Sequence, residues 1–196
     1  WVVSSETCAL NTIGADFVRE IKPGELLVFD EKGLQMRSFT GVQTRKICSF
    51  EYIYFARPDS EVDGISVHSV RKELGRELCR EAPAEADLVI GVPDSGLAAA
   101  VGYAEQCGLP YELGMMKNRY VGRTFIQPNQ ELRRRGVKMK LSVVSKAVEG
   151  KRVVLVDDSI VRGITSGRIV SMLKDNGATE VHMRVTSPPI THPCLY

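Results

Sequence analysis

The 196-residue sequence lacks several features that would define its class at once. It has no apolar run close to the ~18 residues of a membrane span, and its start does not have the charged, apolar and small-residue regions of a signal peptide. Its net charge is only +2, from 26 basic and 24 acidic residues, which is too balanced to favour a nucleic acid or an anionic membrane as partner. We therefore expect a soluble, cytoplasmic protein with no nucleic-acid and no membrane partner.

Cysteine is sparse, with five residues that are odd in number and widely scattered. No two of them form a Cys-x-x-Cys pair, so the spacing indicates neither a disulfide framework nor a self-contained zinc site. Cys8, Cys79 and Cys107 fall within helical patterns. For these three we predict buried, reduced thiols that pack as small hydrophobic side chains.

The composition itself is that of an ordinary globular protein, with 43% hydrophobic and 26% charged residues. The chain starts at Trp1 without an initiator Met and stops inside an irregular stretch, which predicts a piece of a longer protein. At its start, Ser5 is predicted to cap a short helix from Glu6 that ends at Gly14. Three alternating segments then predict an antiparallel meander. These segments are Val18–Ile21, Glu25–Asp30 and Leu34–Phe39.

From about Ile47 the pattern changes to near-continuous apolar segments separated by amphipathic stretches. This alternation predicts an α/β fold, with a parallel sheet covered by helices on both faces and right-handed crossovers. The predicted strands begin at Asp87, Pro110, Val153 and Glu180, and the predicted helices cover Ser69–Glu81, Gly96–Cys107 and about Gly167–Lys174. Ligands of such sheets lie at the carboxyl ends of the strands, so chemistry is expected after Val92, Leu113 and Val156.

The strongest chemical signal is the apolar strand Val153–Val156, which runs directly into two adjacent carboxylates, Asp157 and Asp158. Such a pair can accept hydrogen bonds from vicinal ribose hydroxyls or hold a hard divalent cation through its waters. The loop Arg162–Ser166 that follows offers backbone N–H groups, small hydroxyls and a helix N-terminus, which suit a phosphate. A purely structural role for the acids would leave this loop unexplained, so the segment predicts a sugar-phosphate site.

A second candidate is the long segment Lys117–Lys140, which contains three consecutive arginines, Arg133, Arg134 and Arg135. Segments of this length without regular structure are usually functional or disordered. Its arginine run alone is more typical of a solvated basic face.

The Asp157–Ser166 segment resembles the motif by which type I phosphoribosyltransferases bind phosphoribosylpyrophosphate (PRPP). Four further motifs in the same order extend the resemblance, over essentially the whole chain, to the glutamine PRPP amidotransferase family. These motifs are Cys48–Ser60, Gly91–Ser95, Lys117–Pro128 and Ser187–Cys194. The resemblance implies a type I phosphoribosyltransferase domain at residues 46–196, truncated at its C-terminus. Residues 1–45 would be the C-terminal remnant of an N-terminal-nucleophile glutaminase domain.

The implied activity is the first committed step of de novo purine synthesis. Ammonia released from glutamine is transferred to C1 of PRPP, which gives 5-phosphoribosylamine, pyrophosphate and glutamate. This chain would carry the PRPP half, because the N-terminal cysteine nucleophile of the glutaminase half is not in it. The family further implies purine nucleotides as feedback inhibitors and a homo-oligomer, a tetramer.

The resemblance also implies roles for residues around the acidic pair. Asp157 and Asp158 would contact the ribose hydroxyls and, together with Ser95, form the Mg²⁺ site. The implied PRPP-binding residues are Asp157, Asp158, Ser159, Arg162, Gly163, Ile164, Thr165 and Ser166. Ile164 stands where the family usually has a polar residue, so one hydroxyl for the phosphate is missing.

In the second candidate segment, the resemblance implies a lid that orders over PRPP. Lys117 and Arg123 would act with the acidic pair as catalytic residues, with Arg119 also near the phosphates. Tyr120 and Ile126 would line a passage for ammonia. Elsewhere, Cys48 and Cys194 align with two of the four ligands of a [4Fe-4S] cluster, which is a partial ligand set because a cuboidal cluster requires four thiolates.

Two other classes remain open on the sequence. A salvage or orotate-type phosphoribosyltransferase would add a base-binding hood near the carboxyl terminus. A non-catalytic PRPP-sensing purine regulator would add a winged-helix segment and a strongly basic surface.

Overall fold

The computed structural model describes residues 1–41, 43–118, 141–161, 163–192 and 194, and the chain divides into two compact units, residues 1–67 and 68–196. The elements of the first unit are α1 (Thr7–Ile13), β1 (Glu25–Asp30), β2 (Gly33–Ser38), a π-helical turn (Glu51–Phe55), β3 (Glu61–Val62) and β4 (Ile65–Ser66). The elements that follow are α2 (Val67–Glu81), β5 (Leu88–Gly91), α3 (Leu97–Cys107), β6 (Met115–Lys117), β7 (Leu141–Val143), α4 (Ser145–Val148), β8 (Arg152–Asp157), α5 (Ile164–Asp175) and β9 (Glu180–Val185). In the described part of the chain, none of the helices has the length and apolar character needed to cross a membrane.

The expected meander of three strands is a hairpin of two. β1 pairs antiparallel with β2, from Glu25 opposite Ser38 to Asp30 opposite Gly33. Residues 18–21 form no strand. Arg19, within this segment, donates instead from its guanidinium to both carboxylate oxygens of Glu25 at 2.7 and 2.8 Å. A side-chain pair, and not a backbone ladder, thus fixes this segment to the hairpin.

The first helix ends as expected at Gly14, which adopts the left-handed conformation with φ of 68°. Its N-terminus differs, because Glu6 occupies the N-cap position without a capping bond from its side chain, and the predicted Ser5 cap is wrong. The Glu6 carboxylate instead accepts the Arg57 N–H at 2.7 Å and the Ser60 hydroxyl at 2.8 Å. The bond from the Arg57 N–H is the main reason why the pKa of Glu6 is below its usual value.

The second unit contains the predicted parallel sheet, with strand order β5-β8-β9. The segment that begins at Pro110 was expected as a fourth strand, but it contributes only one parallel bridge, between Val89 and Tyr111. The sequences of β5 and β8 are almost continuously apolar because both faces of these strands are buried. One face of β5 and β8 packs against α5 through Ile169 and Leu173, and the other packs against α3 through Tyr103 and its neighbouring alanines.

A separate antiparallel ribbon lies at the base of the long basic segment. β6 pairs with β7 so that Met115 faces Val143 and Lys117 faces Leu141. β6 ends and β7 begins on either side of residues 118–140. The structure describes none of residues 119–140, so the lid stays a prediction.

Helices α2 and α3 make an unusually close contact in which two glycines take part. A Cβ atom added to Gly75 would lie 1.9 Å from the Ala99 carbonyl oxygen, and one added to Gly102 would lie 1.9 Å from the Lys72 carbonyl oxygen. No L side chain fits at either position without moving a backbone, so these glycines allow the two helices to approach.

A disulfide between Cys79 and Cys107 joins the same two helices, with their Cα atoms 6.0 Å apart. The expectation of reduced thiols at these two positions is therefore wrong, whereas Cys8 is a buried free thiol as predicted. Sequence spacing could not indicate the bond, because the two cysteines are 28 residues apart and meet only when α2 and α3 pack.

Loss of the Cys79–Cys107 disulfide is expected to lower the melting temperature. Closure of a loop of 28 residues contributes about 3.6 kcal/mol in the chain-entropy description. At about 2–4 °C per kcal/mol for a protein of this size, the C79S/C107S variant should melt roughly 7–14 °C lower in calorimetry. The control is the C79S/C107S variant itself, whose melting temperature a dithiol reductant should leave unchanged. A wild-type melting temperature that a dithiol reductant leaves unchanged would contradict the expectation.

Candidate functional site

The two candidate carboxylates lie at the carboxyl end of the central strand. Asp157 is the last residue of β8, and Asp158 follows it. The pairing with β9 continues past the strand ends, since the Thr186 N–H donates to the Asp157 carbonyl at 3.1 Å and the Ser187 N–H donates to the Asp158 carbonyl at 2.8 Å. The backbone that carries both acids is therefore held in the sheet and does not belong to a free loop.

The side chains of the two acids are linked to each other and to Ser159. The Asp158 N–H donates to Asp157 Oδ1 at 2.9 Å, and the Ser159 hydroxyl donates to Asp158 Oδ1. Asp158 is only 6% exposed. Burial, followed by the neighbouring charge of Asp158, raises the pKa of Asp157 to about 6, against the opposing effect of the Asp158 N–H. The pair is thus an anionic site that favours a bound cation or hydroxyl donors.

The turn after β5 lies against the same end of β8. The Val92 N–H donates to the Val156 carbonyl at 2.9 Å, and the Gly96 N–H donates back to the Val92 carbonyl at 3.0 Å. A Cβ on Gly96 would lie 2.5 Å from the Val156 oxygen, which requires glycine at this position. The turn, residues 93–96, contains a cis peptide bond between Pro93 and Asp94 and carries Ser95. Ser95 is therefore placed beside the strand that ends in Asp157.

Helix α5 begins in the loop that was expected to hold a phosphate. Gly163 is its N-cap, in the left-handed conformation with φ of 69°, and no side chain caps the helix. Gly163, Ile164 and Thr165 are exposed, and Ser166 donates from its hydroxyl to the Gly163 carbonyl at 3.1 Å. The first turn contains no acidic residue. The open N–H groups and the positive end of the helix dipole provide the features that a phosphate requires.

Lys117 is brought to the site by β6, and its partner was missed in the sequence. The Lys117 ammonium forms an ion pair with the carboxylate of Asp94, in the turn after β5. Asp94 lies within the motif Gly91–Ser95, but nothing in that motif indicates a cation 23 residues away. Only the fold, in which Met115 packs in one core cluster with Ile90 and Val92, brings the two charges together.

Several other candidate residues lie outside the described part of the chain. These are Arg119, Tyr120, Arg123, Ile126 and Arg162. Cys48 and Cys194 are both free and exposed. Within the described ranges, no group of three or more histidine, cysteine or acidic side chains is arranged to hold a metal ion.

Comparison with known proteins agrees with this arrangement. The family model of the phosphoribosyl transferase domain matches residues 67–187, which include the parallel sheet, both acids and the start of α5. The chain belongs to the phosphoribosyl transferase domain family. The resemblance of the Asp157–Ser166 segment to this family is therefore confirmed.

Curated relatives and solved structures extend the similarity to both units. An amidophosphoribosyltransferase of Bacillus subtilis is 62% identical, and one of Synechococcus elongatus is 55% identical, over all 196 residues. The structure of the glutamine PRPP amidotransferase of B. subtilis, in complex with ADP and GMP, matches 98% of this chain with a TM-score of 0.88. The chain spans 41% and 40% of the two curated relatives and 42% of the matched structure, so it corresponds to about two-fifths of their length.

Gly96→Ala should disturb this phosphoribosyl transferase site more than any ordinary glycine-to-alanine change. Its Cβ would lie 2.5 Å from the Val156 oxygen, so the turn must move away from β8, and we expect a loss of about 1–3 kcal/mol of unfolding free energy, as for other overpacked sites. Denaturant unfolding measures this change. Gly167→Ala is the control, because nothing lies within 4 Å of its Cβ position and alanine should be neutral or stabilising in α5. Equal effects of the two substitutions would contradict the close approach.

The pKa of Asp157 predicts how stability depends on pH. A folded-state pKa of about 6 lies above the ordinary value of 3.8, so the folded state binds the proton more tightly. The stability that this carboxyl contributes is complete below about pH 4 and is lost as the pH rises through about 6. The melting temperature of Asp157→Asn, measured with a chelator present, should therefore rise relative to the wild type between pH 4 and 7. Asp175→Asn, at an exposed acid of α5, should show no such trend, and a pH-independent difference for Asp157→Asn would refute the assignment.

Proposed function

We propose that this chain forms the PRPP-binding half of an enzyme that transfers glutamine-derived ammonia to C1 of PRPP. The products would be 5-phosphoribosylamine, pyrophosphate and glutamate, in the first committed step of de novo purine synthesis. The observation that carries the proposal is the pair Asp157 and Asp158 at the end of β8, followed directly by the open N-terminus of α5. The relatives named amidophosphoribosyltransferase, at 55% and 62% identity, support the choice of reaction.

The sugar would bind at the acidic pair. Asp157 and Asp158 would accept hydrogen bonds from the two ribose hydroxyls, and the bonds from Thr186 and Ser187 to their carbonyls would keep the carboxylates in place. The donor set also fits Mg²⁺, which is usually held by one or two carboxylates together with substrate oxygens and water, without a protein cage. Asp157, Asp158 and Ser95 would hold the ion, whose chemistry is to neutralise the charge that develops on the leaving pyrophosphate.

The 5-phosphate would bind at the start of α5, where Gly163 to Ser166 present backbone N–H groups and hydroxyls. Ile164 is 58% exposed, so this position at the start of the helix is not buried in the core. Arg162 and Ser159 complete the proposed set. The missing hydroxyl at position 164 would cost one hydrogen bond to the phosphate at most.

In the proposed reaction, the ammonia nitrogen forms a bond to C1 while the bond between C1 and the pyrophosphate oxygen breaks. Pyrophosphate leaves with the electron pair, and the product ammonium gives a proton to solvent. Ammonia needs no general base, so the residues act by positioning and electrostatics. Asp157 and Asp158 would fix the ribose, and Lys117 with Arg123 would face the pyrophosphate. The lid would exclude water, with Tyr120 and Ile126 along the path of ammonia.

The rest of the enzyme is proposed from the same family. Residues 1–45 would be the end of the glutaminase domain, and 46–196 the phosphoribosyltransferase domain. Cys48 and Cys194 are free thiols that could serve a [4Fe-4S] cluster, but two thiolates do not hold one, and we derive no step through it. Purine nucleotides as inhibitors, a tetrameric assembly and a cytoplasmic location complete the proposal. The B. subtilis structure in complex with ADP and GMP supports the nucleotides.

Replacing both acids should abolish PRPP binding. Asp157→Asn with Asp158→Asn removes the two charges that would hold Mg²⁺ and reduces the acceptors for the ribose hydroxyls, so affinity should fall by at least 100-fold, the loss of about 3 kcal/mol expected for two charged hydrogen bonds. Isothermal titration calorimetry of the full-length protein with PRPP and Mg²⁺ measures it. Asp175→Asn should bind as the wild type does. Unchanged affinity of the double variant would overturn the assignment of the site.

The reaction itself is tested by pyrophosphate release from PRPP with Mg²⁺. Release that depends on added ammonia supports the proposed transfer. Release that depends instead on a purine or pyrimidine base would indicate a salvage or orotate-type phosphoribosyltransferase, and PRPP binding without any release would indicate a sensor.

A further inference from the structure

Asp94, which forms an ion pair with Lys117, is a group of the site that the proposed reaction does not use. Asp94 is 68% and Lys117 is 45% exposed by side chain. Exposed pairs of this kind contribute little to folding stability. The pair therefore has more influence on the charge that a ligand meets at this edge than on the stability of the fold.

Both partners are carried by anchored backbone. Asp94 lies in the turn after β5, which Val92 and Gly96 fix to the end of β8. Lys117 is the last residue of β6, held opposite Leu141 in the ribbon. The ion pair thus occupies the carboxyl edge of the sheet, where the loops of such sheets bind their ligands.

We propose that Asp94 is an internal counter-anion for Lys117, which holds the ammonium group in the free protein and is displaced by the pyrophosphate group of the ligand. This inference rests on the proposed function, because it requires an anion with several phosphoryl oxygens at this edge. An ammonium has three donors but one charge, so a carboxylate and a pyrophosphate group compete for it. The pyrophosphate carries more charge and displaces the carboxylate. Asp94 pairs with the lysine again when the anion leaves, and this competition weakens the binding of pyrophosphate.

The consequence is that removal of the carboxylate should tighten binding of the anion. For Asp94→Asn in the full-length protein, we expect the dissociation constant of inorganic pyrophosphate to fall about two- to fivefold, the range that an exposed ion pair supports. The KM for PRPP and the inhibition constant of pyrophosphate should fall in parallel. Asp94→Glu keeps the carboxylate and should restore the wild-type values. The melting temperature should stay unchanged in both variants.

A double-mutant cycle with Lys117→Gln separates this device from a general effect of negative charge. If Asp94 acts through the lysine, Asp94→Asn should have no effect on pyrophosphate affinity in the Lys117→Gln background. Glu112→Gln removes another exposed acid, beyond the Tyr111 bridge, and should leave the affinity as in the wild type. An effect of Asp94→Asn that persists without Lys117, or that Glu112→Gln reproduces, would overturn the inference.

The outcomes also separate this inference from the proposed function. If the wild-type protein binds pyrophosphate and PRPP but Asp94→Asn binds them equally well, only the counter-anion role is refuted. If the wild-type protein binds neither, both the proposed function and the counter-anion role are refuted.

Discussion

The parallel pairing of β8 with β5 on one side and β9 on the other is the constraint on which the candidate site depends. Bonds beyond the strand ends, from Val92 to Val156 and from Ser187 to Asp158, extend this pairing to the edge of the sheet. The turn that carries Asp94 and Ser95 is thereby fixed beside the two acids. Because this backbone is already ordered in the folded protein, a ligand that binds here does not lose free energy in ordering it.

The aspartates at the two edges of the sheet have opposite pKa shifts, and this difference distinguishes a structural acid from a candidate functional one. At the start of β8, Asp87 accepts the Arg152 N–H at 2.8 Å and its guanidinium at 3.0 Å, and the side-chain bond above all lowers the pKa of Asp87. At the end of β8, burial and a like charge raise the pKa of Asp157. Asp87 is already paired with Arg152, so its role is to stabilise the fold. An acid whose charge is left uncompensated favours a ligand that supplies hydroxyl groups or a cation.

Local sequence patterns predict much of this arrangement. Most of the features that they do not predict are contacts between residues that are far apart in the sequence. The apolar run Val153–Val156, followed by two acids, predicts a buried strand with a candidate site at its end. A strand that is buried on both faces is apolar throughout, so it can be recognised without knowing which strands pair with it. The third meander strand does not form, and residues 18–21 contact the hairpin through the Arg19–Glu25 side-chain pair, which alternation cannot reveal. The Cys79–Cys107 bond and the Asp94–Lys117 pair join residues 28 and 23 positions apart. Both depend on how helices and strands pack, which periodicity does not encode.

The two edges of the second unit also carry different kinds of contact, and this difference bears on how a ligand is accommodated. At the amino edge, the C-terminal ends of α2 and α3 are joined by the Cys79–Cys107 disulfide near Arg152, the first residue of β8. At the carboxyl edge, the exposed start of α5 and the exposed ion pair of Lys117 are attached to the same buried strands. A ligand can therefore change the partners of these exposed groups without disturbing the core, because the groups do not belong to the buried clusters.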